Sequence, residues 1–304
     1  MHRLLTAFYA APWAMTDEAF SAAEMLLQRW AAGVRLSNDQ IEAAVGGAPE
    51  AAAARRAQMQ EASGGGVQII PIYGVMAHRA YAVANTSRPL TSTEAIASAV
   101  RAAAADPNVG TIVLDVDSPG GSVSGTNELA DTVAAARTVK PVIAVANSEA
   151  ASAAYWVAAQ ASEIVVTPSG MVGSIGVRMP YVDTTEKDAK AGIKTEFISY
   201  GKYKSEGMSG PLTDETRAYL QQMVDAYGAQ FTRAVAKGRG VPVDVVRGPA
   251  FGEGRMKVAA DAVASGMADR IGTLEDVIAE ARKPKRRPTM TSARAARDIQ
   301  ILET

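Results

Sequence analysis

The chain has 304 residues, of which 48% are hydrophobic and 21% charged, and its formal net charge is −1. This composition is typical of a globular protein, and the near-neutral charge gives no general attraction for nucleic acid, so we expect no nucleic-acid partner. The lack of cysteine excludes disulfides, cysteine nucleophiles and thiolate metal sites, and it fits a reducing compartment such as the cytoplasm.

Residues 1–66 are predicted to form a helical extension that ends in a glycine hinge. Thr16 is placed to cap a helix whose first turn carries Asp17 and Glu18. The preceding residues have the outline of a weak signal peptide, but Pro12 interrupts the apolar run, which favours an uncleaved intracellular helix. No stretch reaches the roughly 18–20 apolar residues of a membrane-spanning helix.

Residues 67–283 are predicted to form one α/β domain, because strands and helices alternate along them. Continuous apolar strands between helices indicate a mainly parallel sheet covered by helices. The predicted strands are 67–76, 111–121, 141–147, 163–168, 173–177 and 193–199. The predicted helices are 92–109, 125–140, 149–161 and 213–240, followed by a helix–turn–strand–helix unit at 257–283. Residues 284–304 are basic and indicate a solvated tail, with an interaction arm as the minority interpretation.

The DSPGGS segment after the second predicted strand is the first chemical motif. Pro119 presets a turn, and Gly120 and Gly121 let the backbone present bare N–H groups. Such groups stabilise a developing oxyanion. Taken alone, the pattern favours a plain turn into the next helix.

Ser152, near the start of the predicted helix 149–161, is the second candidate. Serines in such places are usually caps or small packing residues. If Ser152 is a nucleophile, the N–H of Ala153 could join that of Gly121 as a second oxyanion donor.

Lys204 is a candidate general base in the loop before the long helix 213–240. Loop lysines are usually solvated, and a lysine acts as a base only where burial lowers its pKa. Apolar neighbours are expected to supply that burial. Ser174 could orient a neutral lysine amine, or it could satisfy a local backbone group.

His78 is the alternative base, because it could pair with Ser152 and be oriented by Asp115 or Asp117. A lone loop histidine is more often structural or exposed. The sequence has no HExxH pattern, no clustered carboxylates, no P-loop and no convincing GxGxxG, so we expect no metal, nucleotide or other cofactor.

Together these segments resemble the signal peptide peptidase A family of serine proteases, within the ClpP/crotonase superfamily. Five blocks occur in order: LDVDSPGGSV at 114–123, EAASAAYWVA at 149–158, TPSGMVGSIGV at 167–177, GKYKSEG at 201–207 and GRMKVAADAVASGMADRIGTLED at 254–276. Ala153 and Ala154 stand where the family usually has glycines. Alanine keeps the backbone N–H, so activity is expected to survive, with a narrower cleft.

The resemblance implies a ClpP/crotonase-like fold and a role for each residue of the site. These roles are nucleophile for Ser152, general base for Lys204, oxyanion donors for Gly121 and Ala153, and orienting partner for Ser174. It also implies a homo-oligomer in which the dyad can form between subunits. We further expect Gly120 and Tyr155 to contact the substrate, in an apolar cleft near Tyr155 and Trp156.

The lack of a spanning segment and the APWAM sequence resemble the phage and prophage branch, whose proteases cut scaffold, portal or capsid proteins. We therefore expect a protein or peptide substrate, in the host cytoplasm or a procapsid. Two alternatives stay open: a housekeeping peptidase that clears signal peptides or protein fragments, and a non-catalytic capsid assembly factor. A crotonase-type acyl-CoA enzyme would leave the lysine motif unexplained.

Overall fold

The computed structural model describes residues 5, 8–34, 66–79, 91–206 and 210–283. Most of the predicted glycine hinge and the whole predicted tail at 284–304 lie outside the described residues. The strands are β1 (Trp13–Met15), β2 (Val67–Tyr73), β3 (Met76–Ala77), β4 (Thr91–Ser92), β5 (Thr111–Ser118), β6 (Gly120–Ser122), β7 (Val142–Ala151), β8 (Glu163–Val166), β9 (Met171–Gly173), β10 (Met256–Val258) and β11 (Arg270–Ile271). The helices are α1 (Asp17–Ala31), α2 (Thr93–Ala105), α3 (Thr126–Ala136), α4 (Ala153–Ala158), α5 (Thr185–Lys190), α6 (Asp214–Arg239), α7 (Val243–Arg247), α8 (Ala259–Ala264) and α9 (Leu274–Ala281), with a 3₁₀ segment at Pro249–Gly254.

The larger sheet has seven strands and is parallel except at one edge. Its order is β10-β9-β7-β5-β2, and β8 pairs with β7 and with β11. Among the described strands of this sheet, only β10 runs antiparallel to its neighbour, β9. The prediction of an α/β fold with a mainly parallel sheet is therefore confirmed.

Helices cover both faces of this sheet, which explains why its strands read as unbroken apolar runs. On β5, Ile112 and Leu114 join the main core, together with residues of α2, α3 and α4. Between them, Val113 faces the other side and packs in the cluster that includes Leu274 and Val277 of α9. Alternate residues of one strand therefore serve two cores.

Two predicted strands differ from the structure. The structure has no strand at 193–199; every residue from 189 to 204 is exposed, so its β-branched and aromatic residues have no sheet to join. The glycine-framed strand predicted at 173–177 is shifted, because β9 ends at Gly173 and the chain leaves the sheet at Ser174.

The N-terminal helix begins as predicted, since the Thr16 hydroxyl accepts a hydrogen bond from the Ala19 N–H. The strand before it was not predicted. β1 pairs antiparallel with β6 in a second, four-stranded sheet of order β1-β6-β3-β4. This pairing places Trp13–Met15 beside the DSPGGS motif.

Candidate active site

Ser152 lies in the turn that joins β7 to α4, and not one turn into a helix. β7 continues to Ala151, beyond the predicted strand end at residue 147, and Ser152 then adopts φ 54° and ψ −118°. Positive φ is uncommon for a residue with a Cβ and is found at strained functional turns. Its N–H donates to the Gly173 carbonyl at 2.7 Å, and its side chain forms no capping bond. The residue is 1% exposed.

The DSPGGS motif forms a tight turn between β5 and β6. The Ser118 hydroxyl donates to the Gly74 carbonyl at 2.7 Å and accepts the Gly120 N–H at 3.2 Å. Gly120 has φ 98°, which only glycine adopts readily. The Gly120 N–H is therefore engaged inside the turn, and Gly121 is the residue whose N–H faces the neighbouring strand.

The β1–β6 ladder shows where the Gly121 N–H points. Ala14 lies opposite Gly121, and hydrogen bonds bracket the pair: Thr16 N–H to Pro119 O at 3.0 Å and Val123 N–H to Pro12 O at 3.3 Å. Hydrogen-bonded pairs of an antiparallel ladder recur at every second residue. The Ala14 carbonyl therefore accepts the Gly121 N–H.

Ala153 approaches the same place. A carbon atom built on Gly120 would lie 2.2 Å from the Ala14 carbonyl oxygen and 3.0 Å from the Ala153 nitrogen. Ala153 is the first residue of α4, so its N–H has no acceptor within that helix. The structure thus brings Gly120, Gly121, Ala153 and the Ser152 turn together around one backbone carbonyl.

Tyr155 does not line a substrate cleft. Tyr155 and Trp156 are both fully buried, and burial raises the pKa of the Tyr155 hydroxyl, which donates to the Met267 carbonyl at 2.9 Å. The Trp156 ring stacks on Phe231 of α6, with 4.6 Å between ring centroids. The prediction of a cleft at Tyr155 and Trp156 is wrong because both side chains point into the core and anchor α4.

Ser174 follows the residue that accepts the Ser152 N–H. It has φ 54°, its own N–H donates to the Arg255 carbonyl at 3.1 Å, and its side chain is half-buried. Ser174 is therefore held close to the Ser152 turn by the β9–β10 pairing.

Lys204 lies in the exposed segment between α5 and α6. Within the part of the chain that the structure describes, no hydrogen bond or ion pair engages its amine. Its neighbour Lys202 is different, because that amine contacts Glu215 at 3.3 Å and the Tyr203 hydroxyl at 2.7 Å. The described residues of one chain therefore do not provide the apolar burial expected for Lys204.

His78 does not contact Ser152, the partner predicted for it, among the described residues. A carbon atom built on Gly125 would lie 2.3 Å from His78 Nδ1, which places the ring at the start of α3. The His78 carbonyl accepts the Glu94 N–H at 3.4 Å. Among the described residues, no contact links His78 to Ser152.

Three residues of this region were missed from the sequence: Ser118, Ala14 and Arg178. The Arg178 guanidinium contacts the Met15 carbonyl and Asp17, and it lies 5.3 Å from the centre of the Phe20 ring. The sequence could have indicated a role for Ser118, because this residue belongs to the DSPGGS motif. Ala14 and Arg178 carried none, because their roles depend on a pairing between distant segments.

Metal and membrane features are reported for the described residues alone. Those residues contain no cluster of three or more His, Asp or Glu side chains arranged to hold a metal ion. Of the described helices, none is both long and apolar enough to cross a membrane.

Known proteins similar to this chain include phage and bacterial proteins. Head-tail preconnector protein GP5 of Enterobacteria phage P21 and Capsid assembly protease C of Escherichia phage lambda are each 33% identical over 214 residues, 70% of this chain. Protease 4 of Salmonella typhi is 32% identical over 188 residues, 61% of this chain. The aligned region spans only 42%, 48% and 30% of these relatives, respectively.

The family profile described as Peptidase family S49 matches residues 134–287, just over half of the chain. The matched region contains the Ser152 turn, Ser174 and Lys204, while the DSPGGS turn precedes it. This match confirms the resemblance to the signal peptide peptidase A family. The chain belongs to peptidase family S49.

Proposed function

We propose that this chain is a serine endopeptidase in which Ser152 is the nucleophile and Lys204 the general base. The observation that carries the proposal is the Ser152 turn, with positive φ and with the N–H groups of Gly121 and Ala153 beside one backbone carbonyl. Residues in strained turns of this kind cluster at active sites. Membership of a peptidase family supports the same function.

The chemistry needs one proton acceptor and one anion-binding pocket. The neutral Lys204 amine takes the Ser152 hydroxyl proton, and the oxygen forms a bond to the substrate carbonyl carbon. The N–H groups of Gly121 and Ala153 stabilise the oxyanion. As the C–N bond breaks, Lys204 returns the proton to the leaving amine. The Lys204 amine, neutral again, then takes a proton from a water molecule whose oxygen attacks the acyl carbon. As the bond between that carbon and the Ser152 oxygen breaks, Lys204 gives the proton to the serine oxygen and the acid product leaves.

We further propose that the dyad forms between two copies of the chain. A lysine base requires burial, yet Lys204 is exposed and sits on a segment with exposed large apolar side chains. These side chains are Ile193, Phe197, Ile198, Tyr200 and Tyr203. Covering this segment with a second copy would bury the apolar side chains and the lysine together, near the partner's serine turn. Ser174 then orients the amine.

The names of two relatives support a proposal for the substrate class. One similar protein is named for capsid assembly and another for head–tail connection, so we propose cleavage of scaffold, portal or capsid proteins in the host cytoplasm or procapsid. Clearance of signal peptides or protein fragments is the alternative, and similarity to a protein of Enterococcus faecium named putative signal peptide peptidase SppA favours it. A non-catalytic assembly factor is the alternative outside enzymes. Residues 67–283 would form the catalytic domain.

The test of the chemistry uses unfolded casein as substrate and a fluorophosphonate as a serine-reactive label. We expect the parent chain to cut casein and to be labelled, and Ser152→Ala to do neither. Lys204→Ala should lose at least about 100-fold in rate, the lower range for removing a general base. Lys202→Ala is the matched control, because its amine is held by Glu215, and it should keep activity. Equal activity of all variants would refute the dyad, and an unlabelled parent would favour the assembly factor.

Mixing the two inactive variants tests the shared site. If the serine and the lysine come from different chains, a mixture of Ser152→Ala and Lys204→Ala regains activity. The reason is that some subunit interfaces in the mixed oligomer combine an intact serine from one chain with an intact lysine from the other. A dyad within one chain regains none. A mixture that stays inactive, although each variant assembles like the parent in sedimentation velocity, would overturn the shared dyad.

A further inference from the structure

Strand β1 is held on both of its edges, as a bound peptide is held in a groove. On one side, Trp13–Met15 pairs antiparallel with β6. On the other side, Trp13 exchanges two hydrogen bonds with Arg178: its N–H donates to the Arg178 carbonyl at 2.9 Å, and its carbonyl accepts the Arg178 N–H at 3.0 Å. An extended peptide recognised by strand addition makes the same kind of contacts.

The centre of this strand lies on the proposed catalytic groups. The Ala14 carbonyl accepts the N–H of Gly121, one proposed oxyanion donor. Its oxygen and the nitrogen of Ala153, the other proposed donor, lie 2.2 and 3.0 Å from the same Cβ position built on Gly120. A substrate carbonyl under attack must occupy this position. Ala14 therefore stands where the residue before a cleaved bond would stand, and the Ala14–Met15 bond lies in the place of that bond.

The groove fits a small side chain at this point. Ala14 is completely buried and Met15 is 2% exposed. Gly120 and Gly121 lack the Cβ atoms that would collide with the Ala14 and Met76 carbonyls, at 2.2 and 2.0 Å respectively. Gly120 is thus required for close passage of an extended chain, and Gly121 for the pairing of β6 with β3.

The helix that follows β1 makes few buried contacts, so we expect that β1 can leave the groove. Helix α1, which follows it, has no fully buried residue. Its Phe20 ring packs on Phe8, with 4.7 Å between ring centroids, and lies under the Arg178 guanidinium. A ligand on the same chain competes at an effective concentration on the order of millimolar, so a free peptide of micromolar affinity would be largely excluded.

We propose that Trp13–Met15 occupies the groove that binds the substrate, so that the chain blocks its own site with a built-in peptide. The proposal rests on the proposed function for the identity of the groove, and it adds the substrate's form. The groove takes an extended segment with alanine, or a residue of similar size, before the cleaved bond. A substrate enters only when β1 leaves.

The test measures peptide binding and needs no catalysis. The probe is a fluorescently labelled peptide of residues 10–18, AAPWAMTDE, and the protein is the full chain carrying Ser152→Ala. Ala14→Arg, added to that chain, puts a large charged side chain in a fully buried position and should eject β1. Phe20→Ala weakens the packing of α1 and replaces no residue that pairs with β1. Met25→Arg, on an exposed position of α1, is the matched control.

We expect Ala14→Arg and Phe20→Ala to bind the probe at least about tenfold more tightly than the Ser152→Ala chain, as removal of a tethered competitor requires. The Met25→Arg control should match the Ser152→Ala chain, and a probe with arginine in place of Ala14 should not bind. If both displaced variants unfold cooperatively and bind the probe no better than the control, β1 is a permanent strand and the proposal is wrong. Tighter binding, together with a Phe20→Ala chain that keeps Ser152 and still cuts no casein, would refute the proposed peptidase and leave the self-blocking groove standing.

Discussion

The N–H of Ser152 donates a 2.7 Å hydrogen bond to the carbonyl of Gly173 and so ties the end of β7 to the end of β9. Gly173 has φ 132°, and a carbon atom built on it would lie 2.6 Å from the Arg255 carbonyl. The position of Ser152, the proposed nucleophile, therefore depends on a residue that admits no side chain.

Gly173→Ala is the first prediction. The added methyl must displace β9 or β10, which moves the acceptor of the Ser152 N–H. We expect proteolysis to fall about 100-fold, the effect of roughly a 1 Å misplacement at an active site. Gly176→Ala should leave activity unchanged, because a carbon atom there meets nothing within 4 Å. Equal losses in the two variants, measured as kcat/KM, would contradict this account.

Gly121→Ala tests the oxyanion donor. Its methyl would meet the Met76 carbonyl at 2.0 Å, so β6 must shift and carry the Gly121 N–H away. Loss of one such donor lowers kcat by about 100–1000-fold. Gly228→Ala, on α6 with open space around it, is the control. A Gly121→Ala chain that keeps the parent's kcat would exclude this N–H from the reaction.

Phe231→Ala removes the ring that stacks on Trp156 and should cost about 3–5 kcal/mol of unfolding free energy. The reason is a cavity left in the core that anchors α4. On the same helix, Tyr219 is 51% exposed, so Tyr219→Ala should change stability by about 0.5 kcal/mol or less. Urea titration monitored by tryptophan fluorescence measures both, and similar midpoints would show that the stack contributes little.

Glu149 gives a prediction about pH. Partial burial, together with the charges of Asp117 and Glu18, raises the pKa of the Glu149 carboxyl. A raised acid pKa means that ionisation destabilises the fold, and this penalty is present above the raised pKa and vanishes below the ordinary glutamate value. Glu149→Gln should therefore raise Tm at pH 7, by about 2 °C for a chain of this size, and the gain should disappear near pH 4. A gain that is independent of pH would point to another cause. The exposed Glu128→Gln is the control.

Asp269 should behave in the opposite way. Burial alone would raise the pKa of the Asp269 carboxyl, but Arg239 and the Ile164 N–H hold it below its ordinary value. The contacts are a pair of Arg239 hydrogen bonds at 2.7 and 2.9 Å and one from Ile164 at 2.7 Å. Such an acid stabilises the fold above its unfolded pKa, and the contribution is lost as pH falls through the folded value.

Asp269→Asn should thus cost about 1–3 kcal/mol at neutral pH, the cost of weakening charged hydrogen bonds at a partly buried site. The difference from the parent should shrink as the solution is made more acidic than the ordinary aspartate range. Chemical unfolding at several pH values measures it, and a difference that grows on acidification would show the sign to be wrong.

Local patterns were sufficient for much of the fold. Thr16, Ser92 and Thr213 each cap the helix predicted after them, because capping depends on neighbours within one turn. The alternation of strand and helix also gave the parallel sheet. The predicted strand 193–199 failed because its apolar residues signal burial without saying what buries them, and the described chain supplies no cover.

The site was only partly predictable for a similar reason. The DSPGGS and Ser152 motifs are local, and the structure brings them together at adjacent strand ends. The buried positions of Trp156 and Tyr155 depend on Phe231 of α6 and on the Met267 carbonyl, both more than 50 residues away in the sequence. The pairing of Ala14 with Gly121 is equally non-local, and nothing near either residue signals it.

Strand β7 joins two neighbours along one edge, β8 with its first half and β9 with its second. The first half of this ten-residue strand therefore holds the sheet together, and its C-terminal end positions Ser152. A substitution that shifts this strand changes thermal tolerance and turnover at once. Variants selected in the laboratory for heat resistance should accordingly leave this strand untouched and accumulate their changes on the outer helices.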